Sequence, residues 1–191
     1  MICTICGHYA RPAQLSKDMR DFLRLFVQIA LLRRGPQDLP ASMLLLALTV
    51  LGYVCVNLLL SSALPPDPHW LALVLVDTAF MLLWYLALLR LVGRPERFLQ
   101  TTTAVFGIQL VLSPLLIASE WLVRRFGEDG SQWQLAVVCV WLLAISWVIT
   151  ANSYIVRAAL DWSPTSSVVL VILQTVAGGL VEFAMFPPLK S

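Results

Sequence analysis

Polar side chains that interrupt long apolar stretches are the residues of this sequence most able to do chemistry, and Asp77 is the clearest of them. It lies within the apolar segment Trp70 to Leu91. A carboxylate near the centre of a membrane helix costs about 2.5 to 3.5 kcal/mol on insertion scales, so it needs a partner or a function. Such carboxylates bind protons or cations, or they hold two helices together by a hydrogen bond. Both interpretations of Asp77 are open: a proton or cation site, and a structural link.

Three amide side chains lie at matching depths in other apolar segments. Counted at about 1.5 Å per residue from the segment ends, Asn57 shares one depth with Asp77, and Gln109 shares a more central depth with Gln174. The first and second spans are antiparallel neighbours joined by a short turn, which brings Asn57 and Asp77 together, and Gln109 and Gln174 on the third and fifth spans share a depth. We therefore predict one hydrogen bond between Asn57 and Asp77, and a second between Gln109 and Gln174.

No group of residues has the pattern of a catalytic or metal centre. The two histidines, His8 and His69, are not accompanied by both a nucleophile and a second base. Cys3 and Cys6, followed by His8, lack a nearby fourth zinc ligand. The sequence therefore predicts a protein that is not an enzyme and that uses no metal and no cofactor. An intramembrane enzyme using His69 and Asp67 is a further alternative.

The composition shows what must surround these polar residues. Of the 191 residues, 59% are hydrophobic and 13% are charged, against about 25% charged in an average soluble protein. The mean hydropathy is +0.82. A net charge of +2 gives no reason to expect a nucleic-acid partner. The composition predicts an all-α membrane protein whose main partner is the lipid bilayer.

Five apolar segments approach the roughly 20 residues that a helix needs to cross the hydrocarbon core. Short connections rich in proline, glycine and aspartate separate them, which is typical of turns. We predict five transmembrane helices in a domain spanning residues 41–186. The segments are Ala41 to Leu64, Trp70 to Leu91, Leu99 to Leu122, Trp133 to Val156, and Ser166 to Phe186.

The N-terminal region divides into two parts. Residues 1–15 have no pattern and are predicted to be a flexible tail, and Met19 is an alternative start to Met1. Residues 16–34 place apolar side chains at spacings of three and four, with Lys and Arg elsewhere on the wheel, which predicts an amphipathic helix. Such a helix either lies in the cytoplasmic headgroup region or packs on the bundle.

The distribution of lysine and arginine predicts the orientation. Ten of these residues fall on the side of the N-terminus and three on the other. The positive-inside rule then puts the N-terminus in the cytoplasm and the C-terminus outside. The three on the external side are Arg124, Arg125 and Lys190.

Two small-residue pairs have the spacing that permits close helix approach, and one acidic pair lies near the external interface. The small pairs are Thr103 with Gly107 and Thr175 with Gly179, and they suit contacts within the bundle or between copies of the chain. Glu120 and Glu182 lie where Arg124 or Arg125 could reach them.

The sequence resembles the Yip1-domain membrane proteins in their compact bacterial form. The resemblance rests on five spans after an N-terminal helix, a leucine-rich span running into a basic turn at Gly93, a threonine-rich helix start from Thr101 to Thr103, and Pro114 further along. It implies a non-catalytic integral membrane protein with a cytoplasmic N-terminus. Eukaryotic members of that family are associated with small GTPases and vesicle traffic.

Two functions remain open from the sequence. The first is a scaffold or accessory subunit in membrane trafficking, assembly or transport, acting through a membrane-protein partner or as a homo-oligomer. The alternative is a small transporter or proton-coupled carrier in which Asp77 titrates.

Overall fold

The computed structural model describes residues 24–33, 35–61, 69–126 and 133–186, and in these ranges the chain is helical, with no strand. The predicted tail, the alternative start at Met19 and the beginning of the amphipathic helix lie outside the described residues. We number the helices α1 to α6 in chain order; α1 is described over residues 24–30. The others are α2 (Met43–Ser61), α3 (Trp70–Leu91), α4 (Phe98–Phe126), α5 (Gln134–Leu160) and α6 (Pro164–Met185).

Among the described residues, four helices are long and apolar enough to cross a membrane, which makes this a multi-pass helical membrane protein. They comprise α3, α4 with the short 3₁₀ turn Pro95–Arg97 before it, α5 and α6. Helix α2, which corresponds to the first predicted span, has a shorter apolar part that runs over Met43–Leu59. The predicted segment Trp70 to Leu91 coincides with α3, whereas α4 and α5 continue a turn beyond the predicted ends at Leu122 and Val156.

Consecutive helices alternate in direction, so the bundle has two distinct ends. We call the end that carries Arg90, Arg94, Arg97 and Arg157 the basic end, since Arg97 at the start of α4 contacts the last turn of α5 there. At the opposite end the His69 ring, just before α3, lies 5.3 Å from the Phe186 ring, just after α6.

The tightly packed core occupies the half of the bundle near the basic end. Residues 101–108 of α4 are all buried, and Tyr85 of α3 and Ile155 of α5 are completely so. The buried residues of α6 are Ser167, Val171 and Gln174, all in its first half. Most of the interhelical packing among the described residues therefore lies in the half of the bundle near the basic end.

Helix α1 packs on this core. Phe26, Ile29 and Ala30 are buried within the protein, while Val27 and Leu31 remain exposed. The Phe26 ring lies against Gly107, where a glycine leaves room for it. The described residues of α1 thus make the contacts expected of a helix that packs on the bundle, and Gly107 takes part in a close approach as predicted.

The second small-residue pair makes no close contact at its glycine within the bundle, and the predicted contact between copies of the chain stays a prediction. A Cβ added at Gly179 would meet nothing within 4 Å, whereas one at the preceding Gly178 would lie 3.2 Å from Cε1 of Phe80. The Thr175 hydroxyl donates to the Val171 carbonyl of its own helix. Within the bundle the close approach of α6 therefore falls at Gly178, because the rotation of α6 turns Gly178 towards α3 and Gly179 away from it.

The basic turn after α3 ends one helix and caps another. The Arg94 N–H donates to the Leu89 carbonyl at 2.8 Å and the Gly93 N–H to that of Arg90 at 3.1 Å, a Schellman motif that needs the positive φ of 75° at Gly93. Arg94 and Arg97 then reach α5, where both guanidinium groups bind the Ala159 carbonyl and the Asp161 carboxylate.

These arginines stabilise the C-terminus of α5. The last carbonyls of a helix have no intrahelical donor and carry partial negative charge, which the guanidinium groups satisfy. Asp161 ends α5 in the left-handed conformation, with φ 55°. The hydrogen bond from Arg94, and then the charges of Arg94 and Arg97, hold the pKa of Asp161 below its usual value.

We expect Gly107→Ala to destabilise the protein. The new methyl group would lie 2.2 Å from Cδ1 of Phe26, and overpacking of a buried contact costs about 1 to 3 kcal/mol. SDS titration in mixed micelles should show a loss of that size in the free energy of unfolding. Adding Phe26→Ala should remove most of the penalty from Gly107→Ala, because the colliding ring is gone. Gly179→Ala is the matched control and should cost nothing; equal losses at the two glycines would contradict the packing of α1.

We expect Asp161→Asn to lower the thermal unfolding midpoint at pH 7 and to have no effect in acid. Because the pKa of Asp161 is lowered in the folded state, the carboxylate stabilises that state above its unfolded pKa and loses this contribution as the pH falls through the folded pKa. Asparagine tolerates the left-handed backbone, so the variant removes only the charge. The difference from wild type should shrink as the pH falls below the ordinary carboxyl pKa and disappear below the lowered pKa of the folded state. A difference that stays constant with pH would show that the ion pair contributes nothing.

Candidate functional site: a polar cleft between four helices

A cleft of about 370 Å³ opens between α3, α4, α5 and α6. Its polar lining includes the carboxylates of Asp77 and Glu182 and the amides of Gln109, Asn152 and Gln174. Apolar side chains, among them Phe80 and Ile149, form the rest of the wall. Each of the four helices contributes a polar group, although all four are apolar enough to lie in a membrane.

Helical periodicity explains how these side chains reach one cleft. On α6, Gln174, Gly178 and Glu182 follow one another at intervals of four residues, so they form a stripe along one face. On α5, Ile145, Ile149 and Asn152 follow at intervals of four and three. Each stripe turns a polar residue towards the cleft on a helix that is apolar overall.

Asp77 is held by Tyr53, which corrects the predicted bond to Asn57. The Tyr53 hydroxyl donates to Oδ2 of Asp77 at 2.7 Å and so links α2 to α3. The Asn57 amide instead donates to the Tyr53 carbonyl at 2.8 Å and to the Ser113 hydroxyl at 3.3 Å. Asn57 and Asp77 share a depth, but Tyr53, one turn earlier on α2, has the longer side chain and reaches the carboxylate.

The second predicted bond is also replaced by one from a tyrosine. The Tyr85 hydroxyl donates to Oε1 of Gln174 at 2.9 Å, in a completely buried position on α3. Gln109 and Gln174 both line the cleft but do not bond to each other. The reason is helix placement: α6 packs chiefly against α5 and α3, and the cleft separates it from α4.

The two carboxylates of the cleft have no cationic partner in the part of the chain that the structure describes. Arg124 pairs with Glu120 at 2.5 Å, as predicted, whereas Glu182 turns into the cleft. The other ion pairs among the described residues lie at the basic end. Asp77 and Glu182 therefore place uncompensated negative charge in the cleft when both are ionised.

Asn152 brings an unsatisfied acceptor to the same cleft. The residue is 6% exposed, and its Oδ1 accepts no hydrogen bond from any described residue. A buried polar atom without a partner costs about 1 to 3 kcal/mol, so this oxygen favours any donor that enters. The cleft thus contains negative charge from α3 and α6 and a free acceptor on α5.

The polar groups are spread along the bundle axis. A helix rises about 1.5 Å per residue. Asp77 lies fourteen residues before the last residue of α3, which is roughly 21 Å from the basic end. Asn152 lies eight residues before the last residue of α5, which is roughly 12 Å from the same end. Both helix ends lie at the basic end, where Arg97 beyond α3 bonds to Ala159. Asp77 and Asn152 are therefore separated by roughly 9 Å along the axis. Glu182 lies closer still to the opposite end.

The sequence predicted part of this site. Of the residues singled out, the structure brings five to the cleft and leaves Asn57, Thr103 and Gly107 in the packed bundle. The five are Asp77, Gln109, Gln174, Thr175 and Gly179. Sequence reasoning missed the part of Asn152 and Glu182 in the cleft and of Tyr53 and Tyr85 beside it. The stripes on α5 and α6 are the signal that could have identified the first two.

Comparison with protein families, with curated proteins and with solved structures finds no match for this chain. The resemblance to the Yip1-domain proteins therefore stays a prediction from the sequence.

Proposed function

We propose that this is a five-span membrane protein of Yip1-like type with a cytoplasmic N-terminus and an external C-terminus, in a bacterial inner membrane. Helix α2 has 19 residues and is therefore about 28 Å long, close to the thickness of the hydrocarbon core. The described arginines are concentrated at the basic end, which the positive-inside rule places in the cytoplasm.

We further propose that the protein is a non-catalytic carrier of a small solute, coupled to protonation of Asp77. The observation that carries this proposal is the cleft, because it gathers carboxylates and amides from four apolar helices around one space. Ionisable residues among membrane helices mark solute and proton pathways. The described lining contains no serine, cysteine, histidine or lysine that could act as a nucleophile with a base.

The uneven packing of the bundle supports a one-sided binding state. The cleft begins at Val171 and Gln174, which belong to the tightly packed half, and extends to Glu182 near the opposite end. Tyr85 and Ile155 are buried between the cleft and the basic end. A solute in the cleft is therefore separated from the basic end by buried side chains. A carrier must expose its site alternately to the two sides, and this arrangement corresponds to a state closed towards the cytoplasm.

The second candidate function is the scaffold or accessory subunit. The Tyr53 hydrogen bond favours it, since it shows that Asp77 links α2 to α3. On this proposal Asp77 is structural, and the protein acts through a membrane-protein partner or a second copy of itself. No nucleic acid takes part in either proposal.

Solute-driven proton movement in proteoliposomes distinguishes the two functions. With a pH-sensitive dye inside and separate panels of anionic, neutral and cationic small solutes outside, we expect at least one panel to change the internal pH. Asp77→Asn should reduce that rate at least tenfold, because an amide cannot exchange the proton. Glu120→Gln, which removes a carboxylate outside the cleft, is the matched control and should retain the rate.

The scaffold proposal makes the opposite forecast for the same vesicles. If no panel changes the pH beyond protein-free liposomes, or if Asp77→Asn equals wild type, the carrier proposal is wrong. Circular dichroism and gel filtration of each variant show that the protein is folded.

A further inference from the structure

We propose that the cleft binds a small organic cation: an ammonium group carried on an apolar, preferably aromatic, body with a hydrogen-bond donor at its far end. This inference rests on the proposed carrier function and names the solute class for the same cleft.

The negative charge of the cleft indicates that one end of the ligand is a cation. Asp77 and Glu182 both line the cleft and have no cationic partner among the described residues. Away from water a carboxylate needs a compensating charge, and an ammonium group donates up to three hydrogen bonds as well. An anionic solute would be repelled by the same two groups. The end of the cleft near Asp77 and Glu182 is therefore suited to a cation.

Asn152 indicates which group the ligand carries at the end opposite its ammonium, and this observation does not depend on the two carboxylates. Asn152 lines the cleft, and its buried Oδ1 lacks a donor from any residue that the structure describes. It lies roughly 9 Å along the axis from Asp77, so one extended small molecule can reach both. A hydroxyl or amine at the end opposite the ammonium would satisfy it.

The cleft wall between the carboxylates and Asn152 indicates the chemistry of the middle of the ligand. Phe80, Met81, Ile149 and Val171 are apolar, and Phe80 can also offer the face of its ring to a cation. A volume of about 370 Å³ lies at the lower end of the range of small-molecule sites. The wall thus favours an aromatic or aliphatic body over a sugar.

A bare metal ion fits this cleft poorly. Hard cations need six or more oxygen ligands at close, converging positions. Here the polar groups are spread along the axis, and no group of three His, Cys, Asp or Glu among the described residues could hold a metal ion. The geometry points to an extended organic cation.

Tyramine is a suitable probe because it has an ammonium, an aromatic body and a phenolic hydroxyl at the far end. We expect saturable binding to the full-length protein in nanodiscs by isothermal titration calorimetry. Phenethylamine, which lacks the hydroxyl, should bind more weakly, and 4-(2-hydroxyethyl)phenol, which lacks the charge, at least tenfold more weakly. Equal binding of tyramine and 4-(2-hydroxyethyl)phenol, or no binding of tyramine, would overturn the proposal.

Variants assign the binding to the cleft. Asp77→Asn should weaken tyramine at least tenfold, and Asn152→Ala should weaken tyramine but not phenethylamine. Gly179 lines the cleft and a Cβ added there meets nothing within 4 Å, so Gly179→Leu should fill part of the cleft and abolish binding of both. Glu120→Gln should bind as wild type. If Glu120→Gln weakens binding as much as Asp77→Asn, the effect is one of surface charge and the proposal fails.

The two proposals fail separately. If a neutral or anionic panel drives proton movement and tyramine does not bind, the carrier function is supported and the proposal that the cleft binds a cation is wrong. Tyramine binding without any proton movement would keep the cation site and overturn the carrier.

Discussion

A polar group among membrane helices has no water to bond, so it must find its partner inside the protein. Most of the described polar side chains obey this constraint in one of two ways. Hydroxyl groups return to their own helix, as Thr78 does to the Val74 carbonyl and Ser153 to that of Ile149. Tyrosines cross between helices, from α2 to Asp77 and from α3 to Gln174. The bundle is held together by these bonds and by the packing around them.

The cleft is one place where this constraint is not fully met, and the Trp84 indole N–H and the Thr102 and Thr103 hydroxyls are others among the described residues. Asp77 has Tyr53, but neither it nor Glu182 has a described cation, and Asn152 has an acceptor without a donor. In a protein with a purely structural role, apolar residues could replace these polar groups with little loss of stability. Their meeting in one space is the physical reason for proposing a bound solute, and their chemistry is the reason for proposing a cation.

The basic end shows that one residue can serve both membrane topology and stability. Arg94 and Arg97 contribute to the positive charge that sets the predicted orientation, and they also cap α5 and pair with Asp161. The tightly packed half of the bundle begins directly beyond this cap. The cap, the Schellman turn at Gly93 and the contact of Phe26 with Gly107 together keep that half closed.

The sequence predicted what depends on local composition and failed where rotation about a helix axis decides. Apolar length located α3 to the residue, and residue counting gave Asn57 and Asp77 the same depth. Depth does not say which side chain faces which, so Tyr53 was missed as the partner of Asp77, and Gly178 was missed as the glycine of α6 that approaches Phe80 of α3. The capping of α5 could not be predicted either, because it joins residues more than sixty positions apart.

Side-specific cysteine labelling tests the central claim, that a cleft inside the membrane region opens away from the basic end. With the four native cysteines replaced by alanine, Gly179→Cys should react with a membrane-impermeant maleimide added outside intact cells. Thr103→Cys, in the packed half, should react from neither side. Labelling of Gly179→Cys only from the cytoplasm, or from neither side, would contradict the account.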